Sequence, residues 1–384
     1  MPIALLPAAI FFANAVVYVT FFSRLPETSD ALNIPPSALG VALLLQSVGA
    51  LCGFPIAAGL LRRIGARRTA GICLIGAACV LPLAASGNLF ASTYGFAGML
   101  MVYGFLMAIL EVAKNLLAGR IEQRSKRKVM SFSHGCWSLG MFCGALAGGQ
   151  AAVAGASVVQ TLVAAACLIL PLAVLLIAYP GPPEPEEPPA TRPKWARPDA
   201  FIIVLLVLVA GFAISEGAFY DWSMFYLKDD LQLDAHIAAR VYGAFTLGMF
   251  GMRMLGDALR GRLTTGRLVR CMAASVITGF AIIAWAPNAT LLTLGFALSG
   301  GGVALAAPLA ASIAMSHPTR SPATTMAAYS AASLFALFTV PAILGSVVDA
   351  AGAIYALAAP LPVLIFVLCF TPALIAQLGK DNRL

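Results

Sequence analysis

Charge is what this chain lacks. Only 10% of its 384 residues are Asp, Glu, Lys or Arg, against about 25% in soluble proteins, which excludes a water-soluble globular fold. Histidine is scarcer still, with His134, His236 and His317 scattered over different regions. The eight cysteines fall mostly inside apolar runs without paired metal-ligand spacing, and read as small reduced hydrophobes, not a disulfide framework. No metal and no cofactor is expected. Nor is an enzyme, which would need a nucleophile–base or metal-ligand constellation these residues do not supply. No Lys or Arg precedes the first apolar run and no small-residue cleavage site follows it, so that run reads as a span and not a signal peptide.

What the chain has in abundance is apolar surface: 60% hydrophobic residues and a mean hydropathy of +0.91. Runs of about 20 residues recur, each long enough to cross a hydrocarbon core. Twelve are predicted, near 3–22, 37–61, 69–86, 90–118, 129–153 and 157–179, then 200–219, 235–259, 268–285, 290–315, 323–348 and 353–377. Between the sixth and seventh lies PGPPEPEEPPATRPKWARPD, a charged Pro-rich tether. The expected layout is an all-α membrane protein. A six-helix bundle (1–179) and a linker (180–199) precede a second six-helix bundle (200–384).

The net charge of +8 has a topological source. All but five of the 24 Lys and Arg lie in alternate loops or at the C-terminus, the exceptions being Arg24, Lys114, Lys228, Arg240 and Arg253. That is the positive-inside pattern and not a nucleic-acid patch. Both termini are expected in the cytoplasm, with the bilayer of a bacterial inner membrane as the chain's partner. The halves also repeat weakly. Spans four and ten share a Gly-Phe pair, Gly104–Phe105 and Gly295–Phe296, and a basic hairpin follows both span two and span eight. Two six-span halves joined by a long linker are the layout of carriers that rock about a midplane site.

Ionisable residues inside the membrane are expensive and mark function by default. They are Glu111 and Lys114 in span four, His134 in span five and Glu216 in span seven. Asp221 is placed at the outer end of span seven, and Arg240 and Arg253 near the two ends of span eight. Spans three, six, nine and twelve have no Asp, Glu, Lys or His in their interiors, as lipid-facing helices should. On span four, Tyr103, Met107, Glu111 and Asn115 recur every fourth residue and drift slowly round one face. A Tyr and an Asn beside a carboxylate suit hydrogen bonding to a sugar, polyol or other polar solute.

Glu111 has two readings. It carries a coupled proton, or it is paired with Lys114 one turn away and serves as a fixed group. His134 and Glu216 are the other proton-coupling candidates, His134 being equally suited to a structural hydrogen bond. Tyr220 either stacks on a solute ring or belongs to an interfacial aromatic belt, and Trp222 is assigned to the belt. Asn14, Gln46, Tyr329 and Ser330 complete the candidate cavity. Gly300 to Gly302 with Pro308 allow close packing or a bend. At the end of span eight Arg253 and Arg260 both reach Asp257 along the helix, which suggests a gate.

Several stretches resemble the major facilitator superfamily, and within it the fucose-permease-related bacterial members. They are 22–68 (FSRLPETSDALNIPPSALGVALLLQSVGALCGFPIAAGLLRRIGARR), LEVAKNLLAGRIEQR with SFSHGCWSLG, EGAFYDWSMFYL, and GMRMLGDALRGRL from Gly251. The resemblance implies two six-helix bundles, a central cavity, alternating access, and an acid in span four that takes part in proton coupling. Glu111 occupies the matching stretch. Arg62 stands where the signature hairpin usually has Asp, and Lys114 where relatives carry an apolar residue. The second hairpin keeps Gly256–Asp257 with Arg260.

The expected function is proton-coupled secondary transport of a small polar solute, a sugar or sugar derivative, by a monomer. The alternatives are an exporter of hydrophobic or cationic compounds and a non-transporting receptor on a carrier scaffold.

Overall fold

The computed structural model describes residues 5–86, 93–125, 129–178, 198–317, 320 and 322–380. Every regular element among them is helical. The first half contains α1 (Leu6–Phe22), α2 (Leu25–Leu32), α3 (Pro36–Ile64), α4 (Ala66–Ser86), α5 (Thr93–Ser125), α6 (Val129–Val153) and α7 (Val158–Ala178). The second contains α8 (Ala200–Phe225), a π-helical turn (Tyr226–Asp230), α9 (Ala235–Arg262), α10 (Thr265–Trp285), α11 (Ala289–Val303), α12 (Ala306–Met315), α13 (Pro322–Ala351), α14 (Ala353–Ala358) and α15 (Leu361–Lys380). Proline stands in the first turn of α1, α2 and α3, where its missing N–H has no intrahelical partner to lose. Of the Pro-rich tether, only Pro198 and Asp199 lie within the described residues.

Among the described residues nine helices are long and apolar enough to cross a membrane, ten if the bent pair α1 and α2 counts as one span. Twelve were expected. The remaining candidates are α9 and α13. At 28 residues, α9 is about 42 Å long at 1.5 Å per residue, but it carries Arg240, Arg253, Asp257, Arg260 and Arg262. In α13 the apolar stretch is Thr339–Ala351.

Helices of the same half meet through small residues. A Cβ on Gly104 of α5 would collide with the Gln46 carbonyl of α3, and one on Gly300 of α11 with the Phe245 carbonyl of α9. So the packing counterpart of Gly104 is Gly300. Gly295, which the sequence repeat suggested, packs instead on Gly279 of α10. The halves meet through α6 on α9, where Gly149 lies beside Ala239 and Gly135 beside Met254, and through α3 on α13, where Gly40 lies beside Pro341. The α3–α13 contact closes the arginine-poor end of the bundle, and there the Ser37 N–H donates to Asp349 Oδ2 of the opposite half at 2.9 Å.

Span seven departs most from expectation. It does not stop at Phe219 but runs through the π-helical turn to Asp230. Nothing in YDWSMFYL breaks a helix, and the run is apolar enough to continue in lipid. Asp221 therefore lies nine residues, about 13 Å, inside the helix end and not at it. Trp222 is fully buried beside Gly345 of α13, so it does not belong to an interfacial belt. The exposed aromatics at the arginine-poor end are Tyr94, Trp285 and Tyr355.

Candidate functional site

The first half builds its polar site around Lys114, a fully buried side chain on α5. Its Nζ lies 2.6 Å from Glu111 Oε2 and donates to Asn14 Oδ1 of α1 at 3.2 Å. The same ammonium sits 4.4 Å from the ring centre of Phe11 and 4.2 Å from that of Trp137, within the range of a cation–π contact. An ammonium has three donors and no acceptor, so Asn14 must present its oxygen. The Asn14 amide then points its Nδ2 at Met107 Sδ, 3.1 Å away. Asn115 Nδ2 donates to the other Glu111 oxygen, Oε1, at 2.7 Å.

Both Glu111 oxygens are thus engaged. The pair is lopsided: Lys114 is 2% exposed and Glu111 44%, so the carboxylate is the accessible member and the ammonium the buried one. Of the partners the sequence offered Glu111, the structure brings Lys114 onto it.

The second half presents a matching pair. Arg253 of α9 places Nη2 3.6 Å from Glu216 Oε1 of α8, and its Nη1 donates to Ser138 Oγ of α6, in the opposite half, at 2.8 Å. Its Nε donates to the Ala304 carbonyl at 3.4 Å. That carbonyl is available for a sequence reason. Pro308, four residues on, has no N–H to bond it, and α11 gives way to α12 just there. The Tyr220 hydroxyl donates to Glu216 Oε1 at 3.2 Å, and its ring meets Tyr18 of α1 edge-on at 6.3 Å. Tyr220 faces the interior and is no belt residue.

A cavity of about 420 Å³ opens between the halves toward the arginine-rich end, lined by Met130, His134, Arg253, Arg260, Leu305 and Pro308 among others. His134 stands edge-on to Phe11 at 4.8 Å. Other candidates are less engaged. Tyr103 is fully buried, and neither its hydroxyl nor Gln46 Oε1 has a hydrogen-bond partner. Tyr329 is half-buried, Arg240 and Arg260 are exposed, and the side chains of Ser330 and Asp257 lie outside the described residues. Arg253, expected in a gate with Asp257 and Arg260, is committed to Glu216, Ser138 and Ala304.

Phe11, Trp137 and Ser138 escaped the sequence reading. Their signal was present: Trp137 and Ser138 follow His134 by three and four residues, and Phe11 precedes Asn14 by three, so each shares a helix face with a flagged residue.

The sequence pattern of the Major Facilitator Superfamily matches residues 7–341. An uncharacterized transporter, y4wD of Sinorhizobium fredii, is 30% identical over 79% of this chain and 80% of its own length. Membrane protein MosC of Rhizobium meliloti is 25% identical over 89% of this chain and 83% of its own. Two solved structures superpose over nearly the whole fold. The nucleoside transporter NupG has a TM-score of 0.68 at 13% identity, covering 98% of this chain and 99% of that one. The D-xylose–proton symporter has 0.68 at 14%, covering 96% and 95%.

Proposed function

Because this chain belongs to the major facilitator superfamily, we propose that it moves a small polar solute, a sugar or sugar derivative, across a bacterial inner membrane by proton-coupled alternating access. Twelve spans in two six-helix bundles, with both termini in the cytoplasm and the linker between the bundles, complete that reading. One observation carries it: each half contributes a carboxylate already matched to a cation, Glu111 with Lys114 and Glu216 with Arg253. Polar groups so balanced suit a neutral solute. Hydroxyls can exchange with Asn115, Tyr220 and the carboxylate oxygens without leaving a charge unmatched. NupG and the D-xylose–proton symporter, by name carriers of a nucleoside and a sugar, lend support through shared fold.

In this assignment Glu111 and Glu216 bind solute and hold the charge balance, and Asn14, Met107, Phe11 and Trp137 fix the position of Lys114. An exporter of cations fits less well, since the Phe11–Trp137 site, which would take an ammonium, already holds that of Lys114.

The experiment is uptake by the purified chain in sealed vesicles, comparing pentoses, hexoses and nucleosides with and without an imposed pH gradient. Accumulation above equilibrium in response to the gradient supports the reading. A protein that binds one of these solutes yet shows no flux is a receptor on a carrier scaffold.

A further inference from the structure

Proton coupling needs a group that gains and loses a proton as the halves move, and the paired carboxylates Glu111 and Glu216 are each held by a cation. A third carboxylate, half-buried, lies well within the length of its helix. Asp221, on α8 about 13 Å from the helix end, makes no ion pair and no hydrogen bond with another described residue. The groups that face it are phenols from both halves. Tyr18 of α1 and Tyr242 of α9 lie close enough to interact with it electrostatically, and Tyr103 of α5 and Tyr220 of α8 adjoin Tyr18. The Tyr242 hydroxyl donates to the Tyr220 carbonyl at 3.3 Å, which pins α9 to the peptide unit just before Asp221. Along α8 the next charged group is Glu216, already opposite Arg253. Among the described residues no Lys, Arg or His is paired with Asp221.

We infer that Asp221 is the proton site coupled to closure of the arginine-poor end, set near Tyr18 of the first half and Tyr242 of the second. This rests on the proton-coupled reading above. An unpaired carboxylate set among apolar rings and phenols is costly, and the cost falls either when it takes a proton or when more water reaches it. Closing the halves over Asp221 thins the water around it and leaves the side chain half-buried. Closure and protonation therefore favour one another, as linkage requires of two events at one site. The proton comes from the aqueous phase on the arginine-poor side and adds to a carboxylate oxygen, with no other bond changed.

The test needs no solute. In a cysteine-replaced background, spin labels at Ala154→Cys and Pro287→Cys, exposed positions at the arginine-poor end of each half, report its opening in lipid nanodiscs. The wild-type distance should lengthen as pH rises. Asp221→Asn should stay short at every pH, and Asp221→Glu should restore the shift. An Asp221→Asn protein that opens with pH as wild type does overturns the assignment and leaves proton-linked opening intact. A wild type that ignores pH overturns proton linkage itself. Should the variants not fold, dicyclohexylcarbodiimide, which modifies protonated buried acids, can be mapped on the unaltered chain. Modification at Asp221 is expected, and modification of Glu111 or Glu216 with Asp221 untouched overturns the inference.

Discussion

Glu27 of α2 meets Lys228, on the π-helical turn after α8, with Oε1 and Nζ 2.6 Å apart. The contact joins the two halves at the arginine-poor end. Arg24 steadies the carboxylate from behind, its Nε donating to the same oxygen at 3.0 Å while Nη1 holds Thr161 Oγ1 and Nη2 the Ala156 carbonyl. A π turn inserted in a helix re-aims the side chains after it and recurs at functional sites. Here it delivers Lys228 to the opposite half.

If this pair latches the arginine-poor end, Lys228→Met should raise the open population. A partly exposed pair contributes about 1 kcal/mol, equivalent to about a fivefold change in the ratio of open to closed. Spin-label distances across that end would read it, and the reversed pair Glu27→Lys/Lys228→Glu should recover part of the closed state. No change in either variant removes the latch.

Breaking the first-half pair is expected to be severe. Glu111→Gln strands the buried ammonium of Lys114, and loss of one partner from a buried pair costs about 3–5 kcal/mol. Thermal melting in detergent should fall sharply for Glu111→Gln and recover in Glu111→Gln/Lys114→Met. Equal melting of the single variant and wild type would mean that Lys114 finds another partner.

Arg253→Lys tests the fork on which the second-half site depends. A guanidinium reaches Ser138, Glu216 and Ala304 at once, and a single ammonium cannot match that planar geometry. The variant should fold, yet lose most solute uptake. Undiminished uptake would reduce Arg253 to a counter-charge.

At the arginine-rich end Asp199 caps α8 by accepting from the Ile202 N–H at 3.1 Å, and its other oxygen lies 2.9 Å from His317 Nε2 and 3.2 Å from Arg320 Nη2. Burial pushes the carboxyl up, but the Ile202 N–H, His317 and Arg320 outweigh it and hold it below its ordinary value. A lowered carboxyl contributes stability that is present above its unfolded pKa, about 3.9, and is lost as pH falls through the folded value. Hydrogen exchange at the start of α8 should therefore show no loss of this contribution between pH 7 and pH 5 in wild type. Asp199→Asn keeps the cap and loses the charge, whereas Asp199→Ala loses both and should fray faster, by about 1 kcal/mol. Identical exchange in the two variants would deny the cap its role.

Orientation has its own test. A cysteine at Gln232 should react with an impermeant thiol reagent in intact cells, and one at Arg262 should not. The reverse pattern overturns the orientation drawn from the arginines.

Where the apolar runs lie was written in the sequence, because twenty apolar residues in a row are a local property that lipid reads directly. Span five is predicted at 129–153 and found at Val129–Val153, and of the two readings of Gly300 to Gly302 with Pro308, close packing and a bend, Gly300 packs on the Phe245 carbonyl while the helix breaks between α11 and α12. The residues to watch were also legible, since charge in an apolar span stands out wherever the helix turns. What each one pairs with was not. Lys114 finds Asn14 one hundred residues away, and Arg253 reaches Ser138 at a separation of 115. Such partners are set by which helix faces meet, and small residues such as Gly104 and Gly149 fix that in three dimensions. The depth of Asp221 and the burial of Trp222 belong to the same class. Both follow from the helix continuing past Phe219 through the π-helical turn to Asp230, with Trp222 packed on Gly345 of α13 in its own half, and only the tertiary contacts decide that.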